Sequence, residues 1–543
     1  MKKLLLALFL LVSIKGFTQV DVQISKPFRV VDAATKLYFC HGKSVLGVKI
    51  DGDVIILQVF DTEKMTEVAR KQYEDMPKKA MIEKVVDFKG KVLLFYSLWD
   101  KQNETEQLFY REIDSDKGVF LSKGELLLKY KGKIAGTLVN RGFFNFETAD
   151  KFDFQFSHDS TKMLVQFKCV PEDKRSDLSA DKIGLYVVNN NMEVISDKVV
   201  KMPYSDKKMD IIDYTIDSYG NAFILTNVFN DNTNRKQKKG EANYHIELLK
   251  LELGSSKVES YPVELKNKFI RNIWIYEGAN KDIICAGYYF NDASQADIGK
   301  SFFSFKTDKH PSNGIFTFKF DNNGQIVDEN IIEFPLEVLN QFENERTQKR
   351  NSKKDEEDQS EFNYLKLRRF FVQADGSFIL VGEQNYVVEH TTTTSRGTST
   401  TYTYYYNDML IAKIDPSGKL DWMKKLPKRQ TGRNGKGGMG FAYFNGNGEH
   451  YLVFLDNVKN KNLPVNKVPA EHQDGRGGFL TAYRVDDASG ETKKFSLFDI
   501  TDVKNMEVYQ FSTNRILPSA ANAFVIEFYK KKKEDIYIKV TMP

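Results

Sequence analysis

Two short patterns alternate along almost the whole chain, and that alternation constrains the fold more than any single motif. In the first, a turn precedes an apolar run: Asp51-Gly52-Asp53 before 54–59, Lys89-Gly90 before 92–98, Ser218-Tyr219-Gly220 before 222–228, Glu277-Gly278 before 283–288, Asp375-Gly376 before 378–382, and 445–448 before 451–455. In the second, an apolar run ends in Asp or a similar residue and enters a Gly-containing turn. Its copies end at Asp61, Asp114 (with Gly118), Asn189, Leu253 (with Gly254), Asp321 (with Gly324), Asp415 (with Gly418) and Asp486 (with Gly490). Short apolar runs bounded by such turns read as strands. Together the two patterns make a unit of four strands spanning about 55 to 95 residues.

A four-stranded antiparallel unit cannot bury both of its faces, whereas units stacked radially can. The expected fold class is therefore all-β: a single β-propeller of four-stranded antiparallel blades over residues 19–543. The second pattern counts seven units, and the runs 508–511, 524–529 and 536–540 supply an incomplete eighth. A strand from the segment around Val22–Val31 would complete it and remove an open sheet edge. Eight blades are favoured, with seven as the alternative. Helix is expected mainly after Pro335.

The segment from Phe370 to Lys428 (FFVQADGSFILVGE … YNDMLIAKIDPSGKLDWMKKLPK), with a leader ending in Thr-Gln, resembles uncharacterised secreted β-propeller-like proteins of the Bacteroidota type. Elsewhere the resemblance extends only to the repeats. Its motifs are structural turns, so it implies a fold and no catalytic residue.

At the N-terminus, Lys2 and Lys3 precede an apolar run from Leu4 to Val12 and then Ser13 to Gln19. That is the form of a secretory signal peptide, expected over 1–18 with cleavage near Thr18–Gln19. The run is too short to span a membrane as a helix, and no later stretch approaches the necessary length. The expected location is thus the periplasm, the outer cell surface or the medium. The three cysteines, Cys40, Cys169 and Cys285, lie in strand-like runs and form no disulfide framework; each reads as a small core side chain. With 79 basic and 74 acidic residues, the chain lacks the excess charge by which a nucleic-acid binder neutralises phosphates.

In an antiparallel unit with strands A to D, the A–B and C–D turns share one end, and the B–C and D–A connections share the other. The short patterned turns are assigned to A–B and C–D. The long connections all belong to the other class: 171–182, 230–243, 291–313, 387–406 and 457–475 as B–C, and 335–363 and 429–438 as D–A. Long loops gathered at one end point to function there.

Within 335–363, Pro335 with Leu336, Leu339 and Phe342 suggests a short docked helix that frays into the charged run 343–361. Residues 387–406 (VVEHTTTTSRGTSTTYTYYY) read as a hairpin turning at Arg396-Gly397. That register places Thr391 opposite Tyr402, Glu389 opposite Tyr404 and Val387 opposite Tyr406, with Tyr402, Tyr404 and Tyr406 on one face. Aligned phenols suit contact with a protein or a sugar. The Gly-rich loops 431–440 and 474–478 add a basic patch of Arg433, Lys436 and Arg476.

Chemical signatures are sparse. The seven histidines show no metal-ligand spacing, and His158-Asp159-Ser160 reads as a turn rather than a triad. The loop 431–440 lacks a phosphate-loop ending, Asp321-Asn322-Asn323-Gly324 is too short for a calcium loop, and Lys530–Lys533 reads as a solvated strand end. No metal or cofactor is implied. The leading expectation is an exported scaffold binding a protein or glycan through its long-loop end. The alternatives are a glycan-active hydrolase or lyase with acids at the channel mouth, and a structural subunit of an envelope complex.

Overall fold

The computed structural model describes residues 20–140, 146–170, 180–233, 235–263, 268–296, 311–357, 360–395, 397–433, 438–473, 477–501, 503, 508–510, 512–530 and 533–543. The leader, Lys436 and Arg476 lie outside them. Among the described residues, strands make up 62% and helix 5%. No helix among the described residues is long and apolar enough to cross a membrane.

Eight sheets of four or more strands follow one another among the described residues. The first seven span residues 35–73, 81–131, 153–205, 209–263, 269–333, 365–426 and 442–499; the last combines 516–541 with the N-terminal strand Asp21–Ile24. Burial shows where each strand sits. In the fifth sheet every residue of strand B (Ile283–Phe290) and strand C (Gly314–Phe320) is buried, as apolar runs covered on both faces must be. Strand D (Ile326–Glu333) alternates and forms an outer edge.

Each sheet packs on the next through its apolar faces. Leu57 and Leu94 meet between the first and second, Phe95 and Phe154 between the second and third, and Leu185 and Ile224 between the third and fourth. Leu225 and Cys285, Ala286 and Leu380, Ile411 and Leu452, and Val453 and Ile526 continue the series. Val45, Phe60, Val525 and Tyr537 then join the last sheet to the first. Four-stranded sheets packed in order and closed on themselves form a β-propeller. The closing strand comes from the expected segment: Val22 pairs with Val540, and Phe28–Arg29 pairs with the other end of the same strand.

The short-turn end is knitted from sheet to sheet. Glu277, ending strand A of the fifth sheet, is buried and accepts hydrogen bonds from the turns of two other sheets. Its donors are His158 N (2.8 Å), Ser218 N (2.7 Å) and Ser218 Oγ (2.9 Å). A reach across three sheets is possible because the A-strand ends converge on the axis. Further out, in four of the sheets a cation two residues before the turn Asp or Glu bonds to a backbone carbonyl of the following sheet. Lys250 reaches Asn322 O, Lys319 reaches Pro416 O, Lys413 reaches Asp487 O, and Arg484 reaches the terminal Pro543 O.

Several local expectations change. Asp51-Gly52-Asp53 joins strands B and C of the first sheet, not A and B; the A–B turn there is at Gly42. Turn chemistry makes a reversal but does not say at which end of a sheet it lies. The charged run after Phe342 does not fray at once: it forms α2 (Glu345–Glu356), because Asn344 caps it by accepting from Thr347 N and helix-forming residues follow. In α1 (Leu336–Leu339), the buried residues are Val338 and Leu339 rather than a Leu336–Leu339–Phe342 stripe. Cys169 and Cys285 are buried, Cys40 is half-buried, and all three are free.

Candidate functional site at the insertion end

The hairpin begins as strands B and C of the sixth sheet, Phe378–Thr394 and Gly397–Ile414, which run on well past the sheet. The arms pair Thr394 with Gly397, Thr391 with Thr400, Glu389 with Tyr402 and Val387 with Tyr404. Arg396, of the expected Arg396-Gly397 turn, lies outside the described residues; Gly397 pairs with Thr394, and every expected cross-strand pair moves by two. In this register the arms match Thr to Thr: the hydroxyls of Thr391 and Thr400 lie 3.4 Å apart and those of Thr393 and Thr398 3.3 Å. Gly397, at φ +127°, opens the return arm in a conformation that other residues rarely adopt. A shift of two keeps every side chain on its face, so Tyr402, Tyr404 and Tyr406 still share one side.

Those three tyrosines differ in setting. Tyr402 is 41% exposed, while Tyr404 and Tyr406 are half-buried, opposite Gly432 and Gln430 of the added strand Gln430–Arg433. On the other side of the hairpin, Tyr405 stacks on Tyr386 (4.6 Å, 6°), and Tyr386 stacks on Tyr364 (4.2 Å, 25°). Arg433 is exposed opposite Thr403. Its strand pairs in parallel with His472–Gln473, which places the start of one Gly-rich loop beside that of the other.

A bulge at the hairpin base builds a site that the sequence reading missed. Glu383 pairs with Met409 and Asn385 with Tyr406, so Gln384 faces two residues, Asn407 and Asp408. Such an irregularity re-aims side chains, and all three line a cavity of about 360 Å³. Glu343 and Asn344, between the two helices, form a second wall; Arg429, Val468 and Pro469 close it. Three insertions thus converge here at the foot of the hairpin: 335–363, 429–438 and 457–475.

The floor is charged and ordered. The buried Lys425 ammonium donates to Glu343 Oε1 (2.8 Å), Gln341 O (2.9 Å) and Leu339 O (3.3 Å), and lies 3.4 Å from Asp408 Oδ2. Burial pushes the Asp408 carboxyl up, against the opposing pull of Lys425. Beneath Tyr406, buried Lys428 binds Glu383 (2.8 Å), Tyr406 O (2.9 Å) and Gln430 (3.0 Å), and Arg368 holds the second Glu383 oxygen (2.9 Å). Burial pushes the Lys428 amine down while Glu383 pulls it up. Asn407 and Arg429 also neighbour the Tyr386 phenol, so the aromatic stack adjoins the cavity. Carboxylates, amides and a guanidinium beside a flat ring can hold a polyhydroxylated ligand by hydrogen bonds and stacking.

One signal of the site was local: Asn407-Asp408 interrupts the apolar run that follows the tyrosines. Glu343 and Arg429 come from distant segments and carried none. Among the described residues, no group of three or more His, Cys, Asp or Glu side chains is placed to hold a metal ion.

No family model matches the chain, and no curated protein sequence matches it. Distant similarities are found among solved structures. One from a study of prolyl endopeptidases is 10% identical, aligns over 95% of this chain and 55% of its own, and gives a TM-score of 0.37. This chain thus spans about half the length of that one. The WD40 domain of SCAP from fission yeast is 9% identical over 96% of this chain and 94% of its own, at 0.36. An uncharacterised protein from Listeria monocytogenes is 9% identical over 84% and 95%, also at 0.36.

Proposed function

We propose that the chain is an exported eight-bladed propeller, each sheet one blade, that binds a glycan through its insertion end. The observation that carries this reading is the convergence of three insertions on one polar cavity flanked by the Tyr364–Tyr386–Tyr405 stack. A protein presenting polar loop residues is the neighbouring reading, favoured by exposed Tyr402 on the hairpin and exposed Arg433 on the strand added to it. Hydrolysis is favoured by one observation, the raised carboxyl of Asp408 facing Glu343 across Lys425. Against it, the shared ammonium supports the charged form of both acids, whereas a glycosidase needs one of its pair protonated.

Affinity electrophoresis through gels containing soluble polysaccharides tests the proposal. At least one polysaccharide should retard the protein, and Arg429→Ala or Tyr386→Ala should lose most of that retardation while remaining folded. Release of reducing ends that disappears in Asp408→Asn would establish the hydrolase instead. Equal mobility of wild type and variants in every gel overturns the glycan site.

A further inference from the structure

A second cavity, of about 640 Å³, lies at the seam where the N-terminal segment meets the last sheet. It opens at the insertion end, and its walls carry Arg29, Lys36, Arg515 and Lys533 against the single carboxylate of Asp32. Lys36 and Arg515 are largely enclosed, their side chains 11% and 18% exposed. Behind them are Glu527 and Asp535, both fully buried. The Lys36 ammonium is 3.7 Å from each, and Arg515 is 3.9 Å from Glu527.

Those separations bring charge attraction without a hydrogen bond. Glu527 already accepts from Lys49 (2.6 Å) and from the Tyr38 hydroxyl. Neither the Lys36 nor the Arg515 side chain donates a hydrogen bond among the described residues, although enclosed donors normally find partners. With Lys36 and Lys49 set against the two buried acids, Arg29, Arg515 and Lys533 still outnumber Asp32. These cations approach the space from three separate segments. A planar carboxylate is satisfied by one fork of donors, whereas a tetrahedral oxyanion accepts from several directions.

We infer that the seam cavity binds a phosphate or sulfate group, with Lys36 and Arg515 as inner donors and Arg29 and Lys533 at the mouth. The cavity exceeds one such group, leaving room for the molecule that carries it. This site does not depend on the glycan reading and shares no residue with the other cavity.

Thermal unfolding and calorimetric titration with inorganic phosphate, inorganic sulfate and glucose 6-phosphate test it, against sodium chloride at matched ionic strength. At least one oxyanion should raise the melting temperature by several degrees beyond chloride. The double variant Arg29→Gln/Lys533→Gln removes only mouth residues without a described ion pair, so it should fold normally and bind about tenfold or more weakly. Tighter binding of glucose 6-phosphate would identify an ester as the ligand, and tighter binding of either inorganic ion a free anion. Shifts equal to those of chloride, or unchanged in the double variant, overturn the inference.

Discussion

Replacing Glu277 should loosen the short-turn end of three sheets at once. Its carboxylate accepts two backbone N–H groups and one hydroxyl, all from other sheets, at 2.7 to 2.9 Å. A hydrogen bond to a charged group is worth about 1.5–3 kcal/mol. The three do not simply add, because removing the acid also relieves its own desolvation. Removing one side of a buried charged contact costs about 3–5 kcal/mol, the range expected for Glu277→Ala. Glu277→Gln is milder. Its carbonyl still accepts from Ser218 N, and its amide can donate to Ser218 Oγ. Only the His158 N–H loses its acceptor, at about 1–3 kcal/mol. Urea unfolding with an unchanged slope should show the order wild type, Gln, Ala. Amide exchange should quicken at both His158 and Ser218 in the Ala variant and chiefly at His158 in the Gln variant. A cost below about 1 kcal/mol for Ala, with both amides still protected, would refute the argument.

Burial pushes the Asp213 carboxyl from 3.8 up to about 6, so the folded state holds its proton more tightly than the unfolded chain does. Stability from this group is therefore present below pH 4 and is lost as pH rises toward 6; Asp213→Asn should raise the melting temperature at pH 7 and not at pH 4. Lys413→Met removes the contacts to Asp487 O and to Asp487 Oδ2 (2.7 Å), and should cost about 1–3 kcal/mol in denaturant unfolding. Tyr386→Ala breaks both ring contacts of the stack and should destabilise by about 3 kcal/mol, whereas exposed Tyr402→Ser should change the unfolding midpoint by less than about 0.5 kcal/mol.

The turns were legible because their chemistry is local. Asp415 Oδ1 accepts from Ser417 N (2.8 Å) and Lys419 N (3.0 Å), and Gly418 takes φ +80°; Asp321 does the same for Asn323 and Gln325. Four residues specify such a reversal without help from the rest of the chain. The cations of Lys250, Lys319, Lys413 and Arg484 sat beside these turns, yet their partners belong to the next sheet. The hairpin's faces followed from alternation. Its register did not, because the Thr-rich arms look alike when slid by two residues. The cavity was the least legible feature. It depends on a bulge and on residues far apart in the chain that only the ring brings together.

Ring closure also dictates an order of assembly. Ser25 and Tyr537 bond across 512 residues of sequence, and Lys49 and Glu527 across 478. Bringing such distant points together costs only about 2 kcal/mol more chain entropy than joining neighbouring sheets, since the cost grows with the logarithm of loop length. The equilibrium penalty is slight, but the kinetic one is absolute. Asp21–Ile24 has no sheet partner until the strand Glu534–Thr541 has been made, so until then the growing propeller is an open arc with a bare apolar face at each end.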